Sequence, residues 1–333
     1  IMGILWLVKD CYAASFISYL TIAFLLVIVF VALVNSFFDN SNVPTAMMDA
    51  IQCCILMTSC YFIGRGVNLE SDKNKILIFG CLFLIAVFFI IISVLKGSFF
   101  EPSMALSRNL KGSSETGSYQ GIARSVTFLF IVLMCTKMES SSRSNLIIWF
   151  TIATLAIGSR SFIALGLLFL LRSIRLGYIH TALIMIVSVA LLPDFVAMLE
   201  SSRLFDLIQW QSSKSVLGRI ELFKETLQVV YGQPLFGKFG YYLRDGFGYS
   251  HDIMFTWANF GLVAFMLNVG ILAYCSRYFV NYHNSLDPAV KALSLFAIFV
   301  VFHLLLMQPI LESTLVGLCV GLFNNRKFVK DKN

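Results

Sequence analysis

Residues 16–34 read FISYLTIAFLLVIVFVALV, an apolar run without a single charge. Coiled as a helix rising about 1.5 Å per residue, it covers nearly the whole of a hydrocarbon core about 30 Å thick. It does not alternate with a period of two, which excludes a barrel strand. Comparable runs follow at 45–63, 76–95, 119–136, 177–193, 253–275 and 291–307, with a shorter one at 313–323. The composition points the same way. Of 333 residues, 58% are apolar and 13% charged, and the mean hydropathy is +0.83. A soluble domain is about half apolar and one-quarter charged. Water-soluble globular, disordered and disulfide-knit secreted classes are therefore excluded. The expected fold is all-α: a polytopic membrane protein with about ten or more transmembrane helices, including a short hairpin, and a helical loop insert.

The hairpin is read at 145–171, where two short apolar runs flank Gly158-Ser159-Arg160. Each run is too short to cross the core, so the pair is expected to enter and leave on one side. Basic residues orient the rest. More than half of the 25 Lys and Arg fall on one alternating set of short segments, among them Arg65, Lys73, Lys75, Lys137, Arg143, Arg172, Arg175, Arg277 and the tail Arg326–Lys332. Short cytoplasmic loops are enriched in Lys and Arg. This set is accordingly read as cytoplasmic together with the C-terminus, and the long loops 96–118 and 194–250 as lying outside. The expected organisation is 1–193 as membrane helices, 194–250 as a large outer loop, and 251–333 as the C-terminal helices and tail. Residues 1–8 read as the end of a severed helix.

A net charge of +7 would suggest nucleic acid in a soluble protein. No basic run here carries the interleaved aromatics that such binding uses, so no nucleic-acid partner is expected. The eight Cys lie in or at the ends of apolar segments and read as small buried hydrophobes. Cys53-Cys54 with Cys60 lacks zinc spacing, and no metal is expected. Walker A, GxGxxG, HExxH and GxSxG patterns are all absent.

Charges at membrane depth are costly and mark candidate sites. Arg124 lies five residues into the 119–136 run and Arg160 at the hairpin turn. Two readings fit both: snorkelling to lipid phosphates, or projection into a cavity that holds an anion. In the outer loop, residues 218–231 place Ile220, Phe223, Leu227 and Val230 at helical spacing. Arg219 stands near the start of this expected helix, where a guanidinium and free backbone N–H groups together suit a phosphate; the plainer reading is a surface arginine. Gly232, Pro234, Gly237 and Gly240 then predict a break and a compact turn. His251 and Asp252 end the loop. A histidine there is either a polar helix end or a proton acceptor for a hydroxyl. His303, inside an apolar run, reads as a packed core residue or a cavity-lining one, and Glu312 as a turn residue.

Several of these pieces together resemble a family. They are Gly158-Ser159-Arg160 on a short hairpin, Gly218-Arg219 with Phe223, the stretch Gln233-Pro234-Leu235-Phe236-Gly237-Lys238-Phe239-Gly240, His251-Asp252, and Gly261-Leu262. In this order and topology the chain resembles the bacterial O-antigen polymerase and O-antigen ligase superfamily of membrane glycosyltransferases. The resemblance implies a glycan donor on undecaprenyl diphosphate, presented at the periplasmic face of the inner membrane, and no cofactor or metal. It implies that Arg124, Arg160 and Arg219 bind the diphosphate leaving group, with Arg219 also at the reacting centre. It also implies that His251 orients or deprotonates the acceptor hydroxyl. Asp252 stands where the ligase pattern has Asn, Ser or Gln, and either residue is a candidate base. Ala264 stands where that pattern has Gly. These departures favour a polymerase over the alternative, a ligase acting on lipid A–core. The implied partners are the lipid-linked oligosaccharide, membrane lipid, and a chain-length regulator and flippase of the same pathway. A transporter or flippase is a further alternative, but internal repeats are not apparent.

Overall fold

The structure is a computed structural model that describes residues 16–36, 43–66, 72–95, 119–136, 139–157, 160–173, 214–243, 253–306 and 314–325. His251, Asp252, Glu312, the Gly158-Ser159 turn, the apolar run at 177–193, the loop at 96–118 and residues 1–8 lie outside the described residues. Among the described residues the protein is all-helical. The helices are α1 (Phe16–Ser36), α2 (Val43–Gly66), α3 (Asp72–Leu95), α4 (Tyr119–Met134), α5 (Ser140–Ile157), α6 (Arg160–Ser173), α7 (Lys214–Gly232), α8 (Met254–Tyr282), α9 (Pro288–Leu306) and α10 (Thr314–Phe323), with a short 3₁₀ turn at Tyr241–Leu243. Four of them, α1, α2, α8 and α9, contain stretches long and apolar enough to cross a membrane. The chain divides into two compact units, 1–67 with 215–333, and 68–214.

In the first unit, α10 lies directly on α2. Gly317 and Gly321 sit one turn apart, and a methyl group on either would overlap the carbonyl oxygen of Met57 or Tyr61. On α2, a methyl at Gly64 would come within 2.7 Å of the Leu318 carbonyl. Residues 57, 61 and 64 thus meet 317, 321 and their neighbours in ascending order, so the two helices run parallel. Small residues spaced by four let helix backbones approach this closely in an apolar medium. The end of the contact is tied by the Asn325 amide, which donates to the Gly64 carbonyl at 3.3 Å. Asn324 reaches the Ser18 hydroxyl of α1 at 2.9 Å, and Phe323 packs its ring on Tyr274 and Tyr278 of α8. The start of α1 and the ends of α2, α8 and α10 therefore share one end of the unit. Asp287 starts α9 by accepting the Ala289 N–H at 2.8 Å, beside Pro288, whose missing N–H costs nothing in a first helical turn.

The second unit is built on α4, α5 and α6, joined by short connections and packed in alternating directions. Phe130 of α4 stacks on Phe150 of α5 at 3.9 Å and meets Phe169 of α6 edge-on at 5.1 Å. Gly166 of α6 leaves room for Thr151 of α5, whose hydroxyl is satisfied by the Ile147 carbonyl at 2.8 Å. The two arms expected of the short hairpin are the helices α5 and α6, while the turn between them lies outside the described residues. The first arm is longer than the apolar run, because the helix also takes in the serines from Ser140.

Candidate functional site

The run expected at 253–275 is not one straight helix. Gly261 interrupts α8 with φ 81° and ψ −179°, a conformation open essentially only to glycine. In a straight helix Thr256 and Asn268 would stand about 18 Å apart along the axis. Here the Asn268 amide donates to the Thr256 hydroxyl at 3.3 Å, and the rings of Trp257 and Phe265 stack at 4.6 Å. The segments 254–260 and 262–282 thus meet in a sharp V. The longer arm still measures about 31 Å, enough to cross the hydrocarbon core.

A break of this kind frees backbone groups that cannot be left bare in a membrane. They are taken up by the stretch after α7. The N–H of Leu262 donates to the Leu235 carbonyl at 3.1 Å, and the N–H of Lys238 donates to the Ala258 carbonyl at 2.6 Å. Gly240 N–H donates to the buried Asn259 side-chain oxygen at 2.7 Å, and Trp257 Nε1 donates to the Pro234 carbonyl at 2.7 Å. Gly237, with φ 68°, lies against 257–261 so closely that a methyl group would stand 2.7 Å from the Ala258 carbonyl. The compact turn expected at 232–240 is therefore present, and its partner is the Gly261-Leu262 step. Two separated pieces of the family resemblance form one hydrogen-bonded contact.

The turn lies at the end of the unit opposite the α2–α10 tie. Gly240 abuts Ala46, near the start of the apolar run 45–63 on α2, and the Tyr242 hydroxyl donates to Asp49 Oδ2 at 2.7 Å. Asp49 is a carboxylate inside that run, a costly placement that marks a candidate site. The sequence reading passed over it, although a lone acid in an apolar run was the available signal. Tyr242 also packs on Phe255 at 5.1 Å. His251 and Asp252 fall between these two aromatic anchors in the chain.

Arg219 lies on α7, which begins at Lys214 rather than near residue 218. It therefore occupies the second turn of the helix rather than its start. Arg219 holds the same helical register as the buried Thr226 and Val230. Thr226 is hydrogen-bonded to the Tyr241 hydroxyl at 3.0 Å, which ties α7 to the turn. In the other unit, Arg124 is half-buried on α4 and Arg160 is the first residue of α6. Counting back from the facing Phe130 and Phe169 puts positions 124 and 160 within about one turn of each other along the helix axes. His303 is buried and stacks on Phe299 at 5.3 Å, which favours its packed-core reading. Among the described residues no three His, Cys, Asp or Glu side chains gather into a metal-binding group. A groove of about 650 Å³ lined by Leu20, Tyr274, Arg277 and Tyr278 lies at the opposite end from the turn.

Comparison with known proteins finds no matching family model, no matching curated protein and no matching solved structure.

Proposed function

We propose that this chain is a polymerase of polyprenyl-diphosphate-linked glycan repeat units, of the O-antigen or a related surface-polysaccharide type. The observation that carries this reading is the contact between 233–240 and Gly261-Leu262. Two motif pieces quoted for the resemblance are mutually dependent in three dimensions, as parts of one functional element would be. In this reading an acceptor hydroxyl oxygen attacks the anomeric carbon of the donor glycan. The bond from that carbon to the diphosphate breaks, its electron pair leaves with the diphosphate, and the hydroxyl proton passes to His251 or Asp252. Arg124 and Arg160 offset the charge gained by the leaving group, and the resemblance gives Arg219 the same task. No metal takes part.

The full proposal has about ten or more transmembrane helices in a bacterial inner membrane. The end of the first unit that holds Gly64, Tyr278 and Asn324 is cytoplasmic, and the end that holds Asp49 and the turn is periplasmic. The positive-inside bias and the parallel run of α2 and α10 both support this sense.

The test is a deletion strain complemented with single variants and read by lipopolysaccharide gel. Loss of a polymerase leaves core bearing one repeat unit. Bare core with glycan stranded on its carrier means a ligase instead. Arg160→Ala and Arg124→Ala are each expected to reduce polymer at least 100-fold at normal protein levels, which corresponds to about 3 kcal/mol of lost transition-state stabilisation. Wild-type chain lengths in both variants would end the diphosphate role.

A further inference from the structure

Helix α7 has three faces. Thr226 and Val230 are buried on the first. Glu221, Lys224 and Gln228 are exposed on the second. The third carries Ile220, Phe223, Leu227 and Tyr231, spaced by three, four and four residues, so they fall on one stripe. That stripe is not a core face: Ile220 is 47% exposed and Tyr231 80% exposed. It runs on into the turn, where Leu235 and Phe236 are 61% and 79% exposed. The helix is too charged to cross a bilayer, yet water is a poor solvent for this stripe.

The depth of the turn says what covers it. Gly240 abuts Ala46, near the start of the apolar run 45–63 that follows the polar Asn40-Ser41-Asn42, and Tyr242 is bonded to Asp49 just inside it. The turn therefore stands at the level where the hydrocarbon of a surrounding bilayer ends. A helix there with one face on protein, one apolar and one charged matches an in-plane interfacial helix. Trp257, half-buried and bonded to the Pro234 carbonyl, adds an indole beside the turn, the residue type favoured at membrane interfaces. We infer that α7 and the Leu235-Phe236 tip lie in the headgroup–acyl boundary of the membrane, with the apolar stripe against lipid, rather than standing free in the aqueous compartment. The inference needs only the membrane character of the chain and is independent of the glycosyl-transfer reading.

The test uses the full chain in lipid nanodiscs. Phe236→Trp and Lys224→Trp each add one indole, on the apolar tip and on the charged face. Fluorescence of each variant, less that of the wild type, is compared in ordinary lipid and in lipid brominated along the acyl chains. The added indole at 236 is expected to lose about half its emission in brominated lipid, and that at 224 little or none. Water-like emission from position 236, unchanged by brominated lipid, would overturn the inference. So would a blue-shifted but unquenched indole, since that outcome means a protein surface, from a second copy or another partner, covers the stripe.

Discussion

Two of the contacts that glycine makes among the described residues work differently. Where α10 crosses α2, Gly317 and Gly321 supply space: both helices stay intact, and every carbonyl at the crossing belongs to a helical segment. Where the 233–240 turn meets α8, Gly237 and Gly261 supply backbone conformation as well as space, with φ of 68° and 81°. There the helix is broken, and its freed groups are paired across the contact. The first contact rests on dispersion and fit, which yield gradually. The second rests on hydrogen bonds that are made or lost together, in surroundings where an unmade bond is expensive.

The largest effect is therefore expected from Gly261→Ala. An alanine must adopt a positive φ at about 1–3 kcal/mol and must also push Leu235 away, opening two backbone bonds worth about 1 kcal/mol each. A total near 4 kcal/mol is expected to leave little folded protein, read as detergent-solubilised yield and melting temperature. Because Gly237→Ala breaks the same contact, the double variant should be scarcely worse than Gly261→Ala alone. Fully additive losses would mean that the two glycines serve separate contacts.

The comparison also explains what the sequence made legible. The apolar runs at 16–34, 45–63 and 291–307 became helices because length and hydropathy are local properties. The turn at 232–240 was visible for the same reason, through its Gly and Pro spacing. The break at Gly261 was not, although Gly261 itself stood out as part of a motif. One glycine in an apolar run is compatible with a continuous helix, and only the distant Leu235 and Lys238 make the broken form affordable. Val230 and Phe223 show the same limit: both fall at apolar helical spacing, yet one is buried and the other exposed. Spacing reports that a side chain avoids water and not whether protein or lipid covers it. Asp49 lay in plain view, but its partner Tyr242 is remote in sequence.

Gly317→Ala should cost less. The added methyl overlaps the Met57 carbonyl, and the helices relieve it by sliding apart, an overpacking cost of about 1–3 kcal/mol. The expected result is a lower melting temperature with folded protein still recovered from cells grown cool, where the remaining stability suffices. A loss as complete as that of Gly261→Ala would remove the distinction between the two contacts. It would show that close fit, and not backbone re-pairing, governs both.

The smallest expected effect separates backbone from side chain within the turn contact. Trp257→Phe keeps an aromatic ring for Phe265 and removes only the Nε1 donor to the Pro234 carbonyl, a bond 2.7 Å long at an exposed position. Water can replace the lost donor there, so the variant should lose about 0.5–1 kcal/mol and melt only slightly lower than the wild type. The backbone bonds at Leu262 and Lys238 persist in it, so the contact should survive. If Trp257→Phe instead approaches Gly261→Ala in severity, the indole is what holds the turn on α8, and the V at Gly261 follows from that clamp rather than from the glycine's own conformation.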